Sequence, residues 1–482
     1  MRRHFMIFIM IATAALLTAC VSELSKEGAG VVFDDPPAPA FRDASVHDPS
    51  VFRAGDTFYV IGSHMSMAKT EDFIGWTQVS SYASRGNPLL RGTFDTFDEA
   101  FEWAQTNTFW AGDVQPMPDG RYFMYYCNCE GSKPLGNIGL AIADHPEGPY
   151  TNQGIFLKSG MAGESEDGTG YNANHHPNAI DPHAFFDSQG RFWMVYGSYS
   201  GGIFILLMDP ETGLPLEGQG YGTKLMGGNH SRIEGPYIQY SPETGYYYLF
   251  ITFGGLDASG GYNIRAARSE NPDGPYFDAA GNDMIDAKGP PGSFFFDAAI
   301  EPYGTKIIGG YRFMGLEGRR GTGYLSPGHN STYYDEETGR YFLIFHTRFM
   351  GSHYHYIRVH EMFLNDEGWF VVSPFRYDGA ELRTFAPEDV PGVWRLINHG
   401  RSINTRAIVS RTAALHPDGT VSGGLTGNWS LGPDGTTFEI TADGTVYTGR
   451  LLRSWNEDAG EWVMSFTALS GDGIALWGAR AY

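Results

Sequence analysis

One short pattern occurs five times in this chain and limits its fold more than any single motif. A glycine-led turn is followed by a dense run of aromatic and β-branched residues. The copies begin at Gly55 (Gly-Asp-Thr-Phe-Tyr-Val-Ile), Gly120 (Gly-Arg-Tyr-Phe-Met-Tyr-Tyr), Gly190 (Gly-Arg-Phe-Trp-Met-Val-Tyr), Gly245 (Gly-Tyr-Tyr-Tyr-Leu-Phe-Ile) and Gly339 (Gly-Arg-Tyr-Phe-Leu-Ile-Phe). Their spacing leaves room for four short strands per repeat with loops of varying length. A sheet of four short strands has two apolar faces that it cannot bury alone. Stacking copies radially hides both. The sequence therefore predicts an all-β chain whose main domain is a five-bladed β-propeller over residues 41–380.

A polar residue stands seven to eleven positions upstream of each glycine: Asp48, Asp113, Asp181, Glu234 and His329. In a propeller the first strand of each blade lines the central channel, so these positions aim at one axis from five directions. Singly, each is a weak signal, because Asp48-Pro49, Asp181-Pro182 and Glu234-Gly235-Pro236 could each open a turn. Together they form a cluster of like charges that costs stability, which a fold tolerates where chemistry needs it. Asp113 remains open between tying blades together and direct chemistry. Such a cluster suits glycoside hydrolysis: one carboxyl protonated to donate to the leaving oxygen, another ionised to activate water or attack carbon. A neighbouring carboxylate can raise one pKa so that both forms coexist. Trp110, just before Asp113, is the candidate for stacking on a sugar.

A net charge of −22 excludes nucleic-acid binding, which needs clustered Lys and Arg. Cys127 and Cys129 have no thiol to pair with and read as buried and reduced.

The segments Val46-His-Asp-Pro-Ser-Val51, Asn178-Ala-Ile-Asp-Pro182, Gly197-Ser-Tyr-Ser-Gly-Gly-Ile203, Gly227-Gly-Asn-His-Ser-Arg-Ile-Glu-Gly-Pro-Tyr-Ile238, Gly260-Gly-Tyr-Asn-Ile-Arg265, Pro327-Gly-His-Asn-Ser331 and Gly368-Trp-Phe-Val-Val-Ser-Pro374 resemble glycoside hydrolase family 43. Within it they are similar to the extracellular two-domain endo-α-1,5-L-arabinanases. The resemblance implies an inverting hydrolase that cuts internal α-1,5-L-arabinofuranosidic bonds of arabinan, a side chain of pectin. Asp48 falls on the general base, Glu234 on the general acid, and Asp181 on the carboxylate that orients the acid and raises its pKa. It also implies that His329 holds a hydrated calcium ion on the axis, although one imidazole without further protein oxygens is a sparse calcium site. Trp110, Asp113, Asn178 and Ser198 are the residues expected to contact substrate. Related enzymes commonly read Trp-Ala-Pro-Asp where this chain has Trp110-Ala-Gly-Asp113.

An exo-acting α-L-arabinofuranosidase or β-xylosidase of the same family is the alternative, decided by whether loops leave a groove or close a pocket. Segments 82–109, 155–177 and 277–322 are long enough to do either. A surface glycan-binding lipoprotein without catalysis is the non-enzyme alternative, and the presence of all three acids counts against it.

Both ends differ from the repeats. Residues 1–20 have a basic start at Arg2-Arg3, an apolar run and a Leu17-Thr18-Ala19-Cys20 box. This reads as a lipoprotein signal, too short to span a membrane, with Cys20 acylated. The chain is then expected to be exported and lipid-anchored to a bacterial envelope, at the outer membrane or cell surface, with 21–40 as a tether. At residues 387–482, Pro417-Asp-Gly419, Pro433-Asp-Gly435, Ala442-Asp-Gly444 and Gly471-Asp-Gly473 separate short alternating strands. They predict a small antiparallel β-barrel or sandwich, which either braces the propeller or binds carbohydrate through aromatics such as Trp455 and Trp462.

Overall fold

The five glycines of the repeat each occupy the left-handed region, with φ between 61° and 88°. Each turns a hairpin between the first and second strands of a separate sheet, a conformation that other residues enter at a cost. The computed structural model describes residues 33–315 and 320–481. The signal segment, Cys20 and the first part of the tether lie outside the described residues.

Four sheets have four antiparallel strands in sequence order. The first runs from Ser50–Ala54 to Thr77–Ser80, the second from Asp113–Pro116 to Thr151–Lys158. The third runs from His183–Phe186 to Thr223–Met226, the fourth from Ile233–Tyr240 to Thr305–Ile308. The fifth blade consists of Tyr324–Asp335, Arg340–Phe349, His355–Leu364 and Phe370–Val372, extended by the short strand Tyr311–Arg312.

Period-two alternation explains why five such sheets stack. In the second strand of blade three, Phe192, Met194 and Tyr196 pack on Tyr125 and Cys127 of blade two. Trp193 and Val195, between them in sequence, pack on Leu249 and Ile251 of blade four. The ring closes the same way, with Val51 and Val60 of blade one against Ile344 and Ile357 of blade five. Among the described residues no strand is shared between first and last blades, so side-chain packing holds that joint, helped by the Ile357 N–H donating to the Ala44 carbonyl (3.1 Å) and by Arg358 pairing with Asp43 (3.0 Å). Each large apolar residue so buried contributes roughly 1.5–3 kcal/mol.

The C-terminal domain is a closed eight-stranded antiparallel barrel running from Gly392–Asn398 to Ala475–Arg480, the two strands that close it. This decides between the barrel and sandwich readings. One short strand, Ile408–Val409, leaves the barrel and pairs in parallel with Tyr311–Arg312 of blade five. The junction is sealed by buried cations. Lys306 Nζ donates to the carbonyls of His399 (3.0 Å) and Ser402 (2.7 Å), and Arg265 donates to the carbonyls of Glu301 (2.7 Å) and Arg401.

Two expectations are corrected. Residues 33–40 are docked rather than a free tether: Arg453 Nε reaches Asp35 (2.9 Å), and Trp462 Nε1 donates to the Pro36 carbonyl (2.9 Å). That contact, and the packing of Trp455 on Trp462 at 5.7 Å, leave these rings half-buried instead of presenting a sugar platform.

Candidate active site

Three of the five axial side chains sit on strained backbone. Asp48, Asp181 and His329 have φ of 59°, 58° and 46°, a region that non-glycine residues enter rarely. The fourth, Glu234, precedes Gly235, where φ is 64° and an added Cβ would lie 3.0 Å from the His329 ring. The strand pairing is bulged at both Glu234 and His329. Bulges re-aim side chains out of the sheet alternation, and here they turn an acid and an imidazole toward the channel.

Asp48, Asp181, Glu234 and His329 line one cleft of about 240 Å³, together with Trp110, Asn178 and Ser198. Asp48 is held on every side. Its Oδ2 lies 2.7 Å from His47 Nδ1 and accepts from Ser63 Oγ at 2.5 Å, and its Oδ1 lies 3.1 Å from His329 Nδ1. Its backbone N–H donates to Nδ1 of the buried His346 at 3.1 Å. Burial would raise this carboxyl, but the charges of His329 and His47 outweigh burial and hold it well below the usual range. Asp48 is thus ionised at any working pH.

Asp181 behaves oppositely. Burial, reinforced by the charges of Glu234 and Asp48 and opposed by His329, pushes it up to about 8. Burial would lower His329, yet Asp48, Asp181 and Glu234 raise it to about 9. Glu234 accepts hydrogen bonds from Ser198 Oγ at 2.7 Å and from the Tyr262 hydroxyl. The cleft therefore combines an ionised carboxylate with a carboxyl that keeps its proton near neutrality, the two forms that acid–base hydrolysis needs.

One buried carboxyl oxygen here, Asp181 Oδ2, has no hydrogen-bond partner, and Asp48 Oδ1 meets only the rings of His329 (3.1 Å) and His346 (3.6 Å). Carboxyl oxygens beside the His329 imidazole suit a hard cation that completes its shell with water. His47, Asp48 and His346 also come together. Their imidazoles stack at 3.9 Å, and His346 Nδ1 already accepts the Asp48 N–H, so this trio braces the aspartate.

Asp113 is the correction among the expected substrate contacts. It lies away from the cleft wall and is buried, with Oδ1 accepting from Ser50 Oγ (2.5 Å) and Oδ2 from the Ala184 N–H (2.8 Å). It ties blades one, two and three, because strand pairing places it level with Val51 and His183, deeper than Asp48. Trp110 is half-buried on the wall, its Nε1 donating to the Cys129 carbonyl at 2.7 Å. Asn178 Oδ1 accepts from Ser159 Oγ at 3.1 Å, and Ser198 is spent on Glu234. Cys127 and Cys129 are buried and free, as expected.

Sequence reasoning missed the braces His47, His346 and Tyr262, which lie outside the repeat position. It also missed the rim aromatics Phe294 and Phe295, 66% and 44% exposed. They line the cleft from the 277–322 insertion, which Arg232 pins through Asp297 (2.9 Å). Three consecutive phenylalanines in a loop were the available signal. Segments 82–109 and 155–177 supply no wall residue; residues 131–134 and Leu256 do instead.

With the geometry in place, comparison with known proteins adds the following. The model for glycosyl hydrolases family 43 matches residues 41–298, and that for a C-terminal lipocalin-like domain matches residues 374–478. Extracellular endo-α-(1→5)-L-arabinanase 2 of Bacillus subtilis (strain 168) is 53% identical over 443 residues, 92% of this chain and 94% of that protein. The extracellular endo-α-(1→5)-L-arabinanase of Thermotoga petrophila is 46% identical over 454 residues, 92% of this chain and 95% of that protein. A crystal structure of endo-1,5-α-L-arabinanase from Thermotoga petrophila RKU-1 aligns with a TM-score of 0.88 at 44% identity, covering 92% of this chain and 100% of that one.

Proposed function

The chain belongs to glycosyl hydrolase family 43, and from that membership we propose that it cuts internal α-1,5-linked L-arabinofuranosyl bonds of arabinan with inversion. The observation that carries the reading is three acids from three blades, with His329, on the wall of one cleft. Two relatives aligned over 92% of this chain carry the endo-arabinanase name, which favours internal cleavage over the exo alternatives.

Asp48 acts as general base. It is ionised, and the His346 and Ser63 hydrogen bonds fix its backbone and carboxylate, so it accepts a proton from water attacking the anomeric carbon. Glu234 acts as general acid and hands a proton to the departing arabinose oxygen, with Ser198 and Tyr262 fixing its carboxyl. Asp181 is its proton-holding neighbour. Burial, with the charges of Glu234 and Asp48, keeps that proton on Asp181 near neutrality. Inversion requires base and acid carboxyls about 6.5–9.5 Å apart, leaving room for water. Trp110, Phe294 and Phe295 offer ring faces to the sugars, and Asn178 an amide at the wall.

His329, with the carboxyl oxygens of Asp48 and Asp181, would hold calcium through its waters. When bound, that ion supplies positive charge that offsets the crowded carboxylates. Exhaustive chelation should lower kcat several-fold without unfolding the protein; unchanged kinetics would remove calcium from the account.

The protein is exported, in keeping with its extracellular relatives. The Leu17-Thr18-Ala19-Cys20 box supports a lipid on Cys20, and Cys20→Ser should release the protein from the envelope fraction. Product sizing on debranched arabinan tests the substrate and mode together. Short oligomers of several lengths appearing at once are expected; one product from the first minutes would overturn the endo reading.

A further inference from the structure

The catalytic cleft has an aromatic surface on each side of its reacting centre. Trp110 stands on the side of the base, its ring 5.8 Å from that of His64, next to the Ser63 that donates to Asp48. Phe294 and Phe295 stand on the side of the acid. Phe295 lies edge-on to Tyr199 at 5.4 Å, and Phe294 lies 5.1 Å from the His230 ring. Both of those neighbours flank Glu234. The Tyr199 N–H donates to the Ile233 carbonyl (2.9 Å), and His230 stands four residues ahead of the acid.

The phenylalanine pair is anchored rather than carried on a loose loop. The Gly289 N–H donates to Ser231 Oγ (2.9 Å), Asn229 Nδ2 to the Gly289 carbonyl (2.8 Å), and the Phe295 N–H to the His230 carbonyl (3.3 Å). Arg232 adds its pair with Asp297 (2.9 Å). All of these anchors belong to residues 229–232, the stretch that leads into Glu234. Tyr199, His230 and Phe295 sit in left-handed backbone, with φ of 48°, 53° and 54°. The two phenyl rings stack at 4.0 Å, yet Phe294 stays 66% exposed and Phe295 44%. Strained, anchored backbone that ends in bare stacked rings marks a surface made for a ligand rather than for the core.

Inversion decides which part of the ligand that is. Water activated by Asp48 attacks opposite the bond that breaks, so the departing sugar leaves on the side of Glu234. A furanose presents C–H bonds and a C5 methylene that an uncharged aromatic surface can cover. We propose that Phe294 and Phe295 form the wall that binds the leaving portion of the polymer, the arabinosyl units toward the reducing end, and so help select which internal bond is cut. This rests on the arabinan reading above and gives it a direction along the chain. Contacts to those remote units supply binding energy that is used at the reacting centre.

The test follows bond choice in arabinohexaose carrying a heavy-oxygen label at its reducing end. Mass spectrometry of the early products counts the sugars in each labelled fragment, which is the part that leaves. With the wall removed, fewer units should be held on the leaving side. In Phe294→Ala, and more so in Phe294→Ala/Phe295→Ala, the ratio of labelled arabinobiose to labelled arabinotetraose should rise at least about threefold. Trp110→Ala, on the side of the base, should move that ratio the other way. A merely structural role for the loop would lower the total rate and leave the ratio alone. An unmoved ratio in both phenylalanine variants, or a shift in the direction of Trp110→Ala, would overturn the proposal. Failure of the substrate reading looks different: the unaltered protein would then not cut arabinohexaose at all.

Discussion

The propeller axis and the barrel junction both bury charge, and they handle it in opposite ways. At the junction two buried cations are matched to backbone acceptors, Lys306 to two carbonyls and Arg265 to three. Burial lowers both, to about 7 and about 9, and the carbonyls offset the charge that remains. At the axis, carboxyl groups crowd together, an oxygen of Asp181 lacks a partner, and three residues sit in left-handed backbone. The junction arrangement serves cohesion. The axial one costs stability and makes sense only as chemistry.

Substitutions that separate activity from stability would sharpen or break that contrast. Asp48→Asn should lower kcat on debranched arabinan by about 10²–10⁴-fold. Because His329 and His47 favour the charged form of Asp48, the thermal midpoint should fall modestly; Asp181→Asn, at the carboxyl that burial penalises, should leave the midpoint level or higher. A large stability loss from this change would place the axis with the junction. Lys306→Met should do the reverse. Urea unfolding should show a loss of roughly 2–4 kcal/mol from two carbonyls left without donors, with kcat of the folded protein retained.

His346→Phe probes the brace between packing and chemistry. Its buried imidazole accepts the Asp48 N–H, and a ring without that nitrogen frees the strained backbone. A kcat loss of about 10–100-fold is expected, since small displacements of a catalytic group are costly; a change confined to KM would argue against positioning.

The smallest effect concerns acid. His399 is buried against Trp477 with neither ring nitrogen bonded, and burial beside Lys306 holds it well below its ordinary value. A histidine depressed in the fold takes its proton first in the unfolded chain. Its contribution is present above about pH 6.5 and is lost as pH falls below that. His399→Phe should flatten the acid side of the stability profile by up to about 1.4 kcal/mol per pH unit. An unchanged profile would mean the ring is already charged at the junction.

The same contrast explains what the sequence reveals. Hairpin glycines are legible because a left-handed turn excludes most other residues, and five of them reveal five blades. Asp48, Asp181, Glu234 and His329 are legible because repeat geometry fixes where blade-equivalent residues point. Asp113 shares that spacing, but a register deeper in its strand turns it into a tie between blades. His47, His346 and Tyr262 escape notice because their role comes from long-range packing that no local spacing encodes. The wall from the 277–322 insertion is visible only as an odd run of phenylalanines. Lys306 and Arg265 look like ordinary surface cations until the barrel covers them.

The division of labour between Glu234 and Asp48 is most directly tested by leaving-group dependence. Arabino-oligosides of natural arabinose and of nitrophenol leaving groups should be compared in Glu234→Gln and Asp48→Asn. A nitrophenolate needs no proton to depart, so Glu234→Gln should recover much of its rate on the aryl substrate while Asp48→Asn stays slow on both. Equal losses on both substrates for Glu234→Gln, or full activity on arabinan, would contradict its assignment as the acid.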